Sequence, residues 1–171
     1  MKNDKSKNVQ FIRPINKIKS KVGKGGLPPE VVDNAQKIVD EYVKDFPTIA
    51  ESDLKKISNA LKSLEDDKDG IDHDKAIYII HGAAVDLKSN SGMFNKKLIE
   101  KLAINLANFT EGLTTFDADT KEIILAHYNG IRVLTANLDN EAIISQGDVM
   151  LQELASLVRR YYKKTQVNNN I

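Results

Sequence analysis

The chain has 171 residues, 41% of them hydrophobic, which is enough for one domain with a core of ordinary size. It contains no cysteine and three histidines, so disulfides, thiolate catalysis and sulfur-ligated metals are excluded and a histidine-ligated metal is disfavoured. The formal net charge of +1 conceals an uneven distribution of charge along the chain. Residues 1–26 carry eight basic side chains and one acidic one, a net charge of +7. The other 145 residues carry 17 basic and 23 acidic groups, a net charge of −6.

The first part of the chain, residues 1–27, is predicted to be a flexible basic leader. It is polar and rich in lysine, and it ends in a glycine-rich stretch, residues 23–26. It lacks the apolar region of a secretory signal, and the longest nearly apolar run of the chain, residues 76–85, is far shorter than the roughly 20 residues that cross a bilayer. We therefore expect a cytoplasmic protein that is neither secreted nor inserted in a membrane.

A basic leader can bind nucleic acid or an anionic membrane, fold back on its own acidic body, or stay solvated. The leader has a single aromatic residue, Phe11, and no adjacent recognition motif, which disfavours nucleic acid as a partner.

Apolar residues recur at helical spacing from residue 28 onward and predict six helices. Pro28-Pro29 opens the first, which runs up to Pro47, because proline suits the first turn of a helix. Thr48-Ile-Ala-Glu51 has the form of a capping box for the second helix, which ends in the acidic stretch 65–74. The third spans about residues 74–91 before Gly92, and its inward face is expected to consist of Ile77, Ile80, Ala84 and Leu87.

Three more helices are predicted in the second half of the chain. Asn95 is expected to cap the fourth, which ends at Gly112, and Asp117 is expected to cap the fifth, which runs through Leu138. The sixth spans about residues 146–162, and its inward residues are expected to be Val149, Met150, Leu154, Leu157 and Val158. Because no strand pattern is present, we predict an all-α, up-and-down four-helix bundle over residues 28–164 with an accessory N-terminal helix or helices. Residues 165–171 are predicted to be a disordered tail.

One acidic loop has part of the pattern of a calcium site. Glu65, Asp67, Asp69 and Gly70 match the first half of such a loop, but position twelve, which should supply a bidentate carboxylate, is Ala76. We therefore expect a solvated acidic turn, and no metal or other cofactor.

The sequence pairs no nucleophile with a base. His73, His81 and His127 lie far apart, and a lone helical histidine is most often structural. No serine lies in a nucleophile-elbow pattern. We therefore do not expect an enzyme.

The most informative segment is Ala84-Val-Asp-Leu-Lys-Ser-Asn-Ser-Gly-Met-Phe-Asn95. It resembles the signature of the histidine-phosphotransfer (Hpt) family, small bacterial signalling domains built on a four-helix bundle, in which a helix carries His-x-Leu-Lys-Gly followed by an apolar residue and a glycine. The segment agrees with the signature at Ala84, Leu87, Lys88 and Phe94. It departs from the signature at the histidine, which is Val85 here, and at the two glycines, which are Ser89 and Asn95.

The leader carries a second resemblance. Ile15-Asn-Lys-Ile-Lys-Ser-Lys-Val-Gly-Lys-Gly-Gly-Leu27 is similar to the stretch that precedes an Hpt-like bundle in some bacterial chemotaxis-linked proteins.

The resemblance implies a docking face with no phosphoacceptor. In the family the histidine projects from the bundle and attacks an aspartyl phosphate on a receiver domain, the lysine offsets phosphoryl charge, and the glycine lets the partner approach. A valine cannot accept a phosphoryl group, so the implied role is a non-catalytic scaffold in a two-component pathway. Its partner is a response-regulator receiver domain or a histidine kinase, and its contact residues are Val85, Lys88, Ser89, His81 and Gly92.

Two alternatives remain open from the sequence. His81 lies four residues before Val85, on nearly the same helix face, and a shifted partner could reach it as a phosphoacceptor. The chain could also be a tethering protein whose basic leader binds nucleic acid or an anionic membrane while the acidic bundle recruits a partner. If the chain instead docks a receiver, Val85 and Lys88 should point outward from the middle of an exposed helix.

Overall fold

The computed structural model describes residues 26–66, 73–113 and 115–168. Of these residues, 89% are helical and none lies in a β-strand. The helices are α1 (Pro29–Tyr42), α2 (Phe46–Asp66), α3 (His73–Met93), α4 (Lys97–Glu111), α5 (Ala118–Ala136) and α6 (Glu141–Asn168), with a 3₁₀ turn at Val43–Asp45 between α1 and α2. Contacts divide the chain into two units, residues 1–36 and residues 37–171.

Four helices of the second part form a closed ring. α2 packs on α3, α3 on α4, α4 on α5, and α5 again on α2, while α6 packs on α4 and α5. The predicted all-α bundle is therefore confirmed. The C-terminal helix α6 packs on the ring, whereas α1 contributes no fully buried residue and only Val39 as a half-buried contact with the core.

The core is formed by the apolar stripes of α2 to α6. All four residues expected on the inward face of α3 are buried. The inward position predicted for Val149 is wrong, since its side chain is 61% exposed. Helix α6 packs on α4 and α5 and buries a narrow stripe through Leu154 and Tyr161, and Val149 lies to one side of this stripe. The largest fully buried side chains are Phe46, Phe109, Leu54, Ile57, Ile80, Leu87, Ile99, Leu102, Leu106, Ile124, Ile131 and His127.

Aromatic residues fasten the end of α6 to the end of α4. The ring of Phe109 meets those of Tyr161 and Tyr162 edge to face, at centroid distances of 5.4 and 6.0 Å. The Tyr162 hydroxyl donates to the backbone oxygen of Phe109 at 3.2 Å, and burial raises the pKa of that hydroxyl. This cluster joins the final turns of α6 to the bundle.

Two predicted helix boundaries are wrong in the first half of the bundle. Helix α2 begins at Phe46, so Pro47 lies in its first turn and Thr48 lies inside the helix and cannot cap it. Helix α3 continues through Gly92 to Met93, since a single glycine lowers helix stability without ending the helix.

Asn95 ends α3 and does not cap α4. It has a φ of 56°, in the left-handed region, its N–H donates to Gly92 O at 3.2 Å, and the N–H of Lys96 donates to Ser91 O at 2.7 Å. These two bonds form a Schellman motif, and asparagine is one of the few residues besides glycine that accepts the conformation. The residue that precedes α4 is Lys96, whose side chain makes no capping bond.

The predicted cap of α5 is confirmed. The Asp117 carboxylate accepts from the N–H of Thr120 at 2.8 Å, and the Thr120 hydroxyl oxygen accepts from the N–H of Asp117 at 2.9 Å. The hydrogen bonds from Thr120 lower the pKa of Asp117. Helix α4 ends at Glu111, directly before Gly112, as predicted.

Helix α6 is longer than predicted at both ends. It begins after Asn140, whose side-chain oxygen accepts from the N–H groups of Ala142 and Ile143 at 3.1 and 3.3 Å. It ends at Asn168, so residues 165–168 of the expected tail are helical.

Several expectations concern residues outside the described ranges. These are the flexible leader up to residue 25 and the acidic loop at 67–72. Within the described ranges, no group of three or more metal-binding side chains comes together, and no helix is both long enough and apolar enough to cross a bilayer.

Candidate functional site: the exposed face of α3

The Hpt-like segment lies in the second half of α3, with its contact positions turned outward. The side chain of Val85 is 36% exposed, and Lys88 and Ser89 are exposed, while Ala84 and Leu87 are fully buried on the opposite side. One side of this helix therefore faces the core and the other faces the solvent, as the helical period requires. The expected outward position of Val85 and Lys88 is the one observed.

The three outward residues form a small apolar and cationic surface. The Ser89 hydroxyl donates to the backbone oxygen of Val85 at 2.9 Å, which leaves a short side chain lying close to the helix. Lys88 pairs with no carboxylate of the described residues. Its ammonium group, next to an exposed valine, can therefore interact with an acidic partner.

Two other predicted contact residues lie at the edge of this surface, toward α4. His81 is half-buried, and its Nδ1 atom lies 3.2 Å from both Ala107 O and Thr110 Oγ1. Gly92 is half-buried too, and a Cβ atom there would lie 3.1 Å from a carboxylate oxygen of Glu100. The structure therefore places Val85, Lys88 and Ser89 together, with His81 and Gly92 beside them along the α3–α4 seam.

The outward surface extends further along α3 than the sequence analysis indicated. Tyr78, seven residues before Val85, is 77% exposed, and a Cβ atom at Gly82 would meet nothing within 4 Å. Met93, eight residues after Val85, is 54% exposed. Seven-residue spacing returns to the same side of a helix, so the spacing of Tyr78 and Val85 is the signal that could have revealed this extension. We call Tyr78, Gly82, Val85, Lys88, Ser89 and Met93 the α3 face.

A polar network beside the α3 face joins helix α3 to α2. Lys56 Nζ lies 2.7 Å from Asp53 and 3.1 Å from Asp86, and Asn90 donates to Asp53 at 3.3 Å. Hydrogen bonds to Asp53 and then to Asp86 raise the pKa of Lys56. Asp53 is buried, and a buried carboxylate is tolerated when it has such partners. Sequence reasoning missed this network because Lys56 and Asp86 are 30 residues apart.

The other two histidines lie elsewhere. The ring of His73 contacts that of Phe116, with centroids 5.7 Å apart, and His127 is fully buried in α5. His127 Nδ1 lies 2.8 Å from Ile123 O, and Nε2 has no partner among the described residues. Neither ring belongs to the α3 face.

Comparison of the chain with models of known protein families, with curated proteins and with solved structures gave no match. The fold is that of an all-α bundle, and helix α3 carries an exposed face with apolar side chains.

Proposed function

We propose that this protein is a non-catalytic, Hpt-like signalling or scaffold module that docks a response-regulator receiver domain, or its histidine kinase, through the α3 face. The observation that supports this most is the outward position of Val85, which stands where the resembling family has its phosphoacceptor histidine. Lys88 and Ser89 lie beside it on the same surface.

The residue at position 85 permits docking of a partner but not phosphoryl transfer. A phosphoacceptor needs a lone pair that attacks phosphorus, and the side chain of valine consists of saturated carbon alone. An apolar side chain in the middle of an exposed helix can still contribute to an interface, since burial of each such group on association is favourable. The module would therefore occupy a receiver without receiving its phosphate, and would compete with an active phosphotransfer protein or hold the receiver in place.

The surroundings of Val85 fit a receiver as the partner. The receiver's reactive group is an aspartate, and Lys88, which pairs with no carboxylate in the described part of the chain, offers its ammonium group to an acidic pocket. The short side chain of Ser89 and the absence of one at Gly82 allow close approach of a partner's backbone. Asp86 is held by Lys56 and so does not compete for Lys88.

His81 is the weaker candidate for a functional centre. It lies one turn, about 5.4 Å, along the helix axis from Val85, whereas reacting atoms must come within about 3.5 Å of each other. Its Nδ1 atom is directed at two oxygen atoms of α4, which is typical of a histidine that fastens two helices. Docking through Val85 therefore accounts for more of the observed geometry.

Titration calorimetry of the full chain with a panel of receiver domains tests the docking proposal. We expect at least one receiver to bind, and Val85→Asp to weaken that binding tenfold or more, because a carboxylate would be buried against an acidic partner. Val133→Asp is the matched control, since Val133 is 43% exposed on α5 and lies away from the α3 face. Absence of any binding while an active Hpt protein binds the same panel would sink the proposal, as would equal weakening by both variants.

Phosphotransfer from a labelled receiver tests the role of position 85 directly. The wild-type chain should take up no label, and Val85→His should take up acid-labile label, because it restores an imidazole beside Lys88. Label on the wild-type chain that disappears in His81→Gln would instead establish His81 as the acceptor.

A further inference from the structure

Helix α6 carries its negative and positive side chains in separate parts. Residues 141–158 contain three acidic side chains and no basic one: Glu141, Asp148 and Glu153. Residues 159–168 contain four basic side chains and no acidic one: Arg159, Arg160, Lys163 and Lys164. All seven are exposed. The solvent-facing side of this helix is therefore negative over its longer first part and positive over its last part.

The helix dipole accounts for only some of these charges. Acidic side chains in the first turn and basic ones in the last turn stabilise a helix, but the effect falls off within one turn of each end. Asp148 lies two turns after the start of α6 at Glu141, and Arg159 and Arg160 lie more than two turns before its end at Asn168. The stability of α6 by itself therefore does not explain the signs of these three charges.

Most of the basic side chains lack a partner of opposite charge. Arg159, Arg160 and Lys163 pair with no carboxylate of the described residues, whereas Lys164 pairs with Asp119. On the negative part, Asp148 Oδ1 lies 3.8 Å from Lys101 Nζ, and 70% of the Asp148 side chain is still exposed. Both parts of α6 can therefore interact with a partner of opposite charge.

A line of side chains runs along the outward side of α6 and crosses both parts. Its members recur every three or four residues: Ser145, Val149, Gln152, Ser156, Arg159 and Lys163. Ser156 is half-buried and the others are exposed, with Val149 at 61%. The line lies opposite the buried stripe through Leu154 and Tyr161. A second helix lying along it would cover Val149 and meet both signs of charge.

We propose that α6 pairs in antiparallel orientation with α6 of a second copy of this chain. A twofold axis between Gln152 and Ser156 would bring together three pairs of positions at the same height along the two helices: Gln152 with Ser156, Ser145 with Lys163, and Asp148 with Arg159. Each pair occurs twice, because a twofold interface is made by the same surface on both chains. Asp148 and Arg159 lie on the same flank of the line, and equivalent flanks meet in such a pair.

Other occupants fit the charges of α6 less well. A nucleic acid or an anionic membrane along the line would be repelled by Asp148 and Glu153. A parallel second copy would place Asp148 beside Asp148 and Arg159 beside Arg159. The antiparallel copy matches both parts. Since each chain contributes one mostly polar helix face, we expect a weak, reversible dimer that added salt dissociates.

The dimer is independent of the docking role proposed for α3, and sedimentation velocity of the full-length chain up to about 500 μM tests it. We expect the wild-type chain to dimerise, and Asp148→Arg and Arg159→Asp each to weaken dimerisation at least tenfold, because each brings like charges together twice. The double variant Asp148→Arg/Arg159→Asp should regain dimerisation to within about threefold of wild type, since it exchanges the two charges and keeps the net charge.

Lys62→Asp is the matched control for net charge. It makes the same change of charge as Arg159→Asp at an exposed position of α2 and should dimerise as the wild type does. A wild-type chain that stays monomeric at the highest concentration would overturn the proposal, as would a double variant that dimerises no better than the single ones.

Cross-linking tests the direction of the pairing and does not depend on charge reversal. The chain has no cysteine, so single cysteines can be introduced in the full-length protein. In an equimolar mixture of Ser145→Cys and Lys163→Cys chains, a short bismaleimide should form dimers at least tenfold faster than in either variant alone. In the antiparallel register these two positions lie side by side, whereas the two copies of residue 145 lie about 27 Å apart. Faster cross-linking within the single variants would replace the antiparallel pair by a parallel one, and equal rates would contradict a defined interface.

Discussion

Asn95 and Val85 depart from the Hpt signature with different physical consequences. Asn95 stands at a glycine position and adopts a positive φ, which is the property that a glycine would supply there. Val85 stands at the histidine position and supplies none of the chemistry of imidazole. Under the proposed function, the first departure keeps the backbone conformation, and the second leaves a docking position without a phosphoacceptor.

The effect of substituting Asn95 on stability should depend on its left-handed backbone conformation. Asn95→Ala should lower the free energy of unfolding by about 1 kcal/mol, because an alanine has no local compensation for the left-handed conformation. Asn95→Gly should leave it unchanged or raise it slightly. Since Asn95 is exposed, lost packing does not complicate the comparison. Urea denaturation of both variants provides the measurement, and equal destabilisation by alanine and glycine would contradict this reading of the turn.

His127 should make stability depend on pH. Burial lowers its pKa below the ordinary value of 6.5, although the hydrogen bond with Ile123 O opposes this. The folded state therefore favours the neutral ring, and its contribution is complete above the unfolded pKa. Below that value the unfolded chain binds the proton first, so stability falls with a slope of up to about 1.4 kcal/mol per pH unit until the folded pKa is reached.

Denaturant unfolding at pH 7.5, 6.5 and 5.5 checks this dependence. His127→Leu should remove much of the slope in this range, because it deletes the titrating group and the Nε2 atom, which has no partner among the described residues. The lowered pKa of Asp117 acts at more acidic pH and should leave this window unaffected. Identical slopes for the wild-type and His127→Leu proteins would show that His127 is not responsible.

Helix α3 differs from its neighbours because both of its sides carry apolar residues. Ile80 and Leu87 fill the core, while Tyr78 and Met93 lie on the exposed side. The helix is fixed on one edge by the Lys56 network with α2 and on the other by His81 with α4. A helix held on both edges presents its outer face in a defined orientation, which lowers the entropy cost of binding a partner.

Two of the helical glycines, Gly82 and Gly147, should respond in opposite ways to substitution by alanine. A Cβ atom at Gly82 meets nothing within 4 Å, whereas one at Gly147 would lie 2.5 Å from Leu98 Cδ1. Gly82→Ala should therefore raise the free energy of unfolding by up to about 1 kcal/mol through helix propensity. Gly147→Ala should lower it by about 1–3 kcal/mol, because α6 would be pushed away from α4.

Thermal unfolding of the Gly82→Ala and Gly147→Ala variants tests how closely α6 approaches α4. The two substitutions are chemically identical, so the difference between their melting temperatures isolates the contact with Leu98. If Gly147→Ala is as stable as Gly82→Ala, the two helices are further apart than the structure indicates.

The described core is built from α2 to α6. This determines which residues can be deleted with little effect on stability. The ring of four helices is closed by the contact between α5 and α2, and α6 covers one side of it. Buried apolar residues run from Phe46 to Tyr161, and α1 supplies none of them. Stability should therefore reside almost entirely in residues 37–171.

A chain that begins at residue 37 should fold on its own. We expect a single cooperative thermal transition with a melting temperature within a few degrees of the full-length value, because the described residues that are removed, 26–36, are all exposed. Circular dichroism at 222 nm records the transition. A broad transition, or a fall of more than about 10 °C, would show that the first 36 residues contribute to the core.

The sequence by itself determined the helical class, most buried faces and the cap at Asp117, because these depend on spacing along the chain and on local hydrogen bonds. The same helical period also placed Val85 and Lys88 outward.

Only the tertiary structure decided the remaining features. Which helices adjoin one another, the tie from Lys56 to Asp86, the engagement of His81 with α4 and the exposure of Val149 all depend on residues that are distant in sequence. Helical periodicity fixes the direction of a side chain relative to its own helix. What that side chain meets is set by the packing of the whole bundle, and local sequence patterns carry little information about that packing.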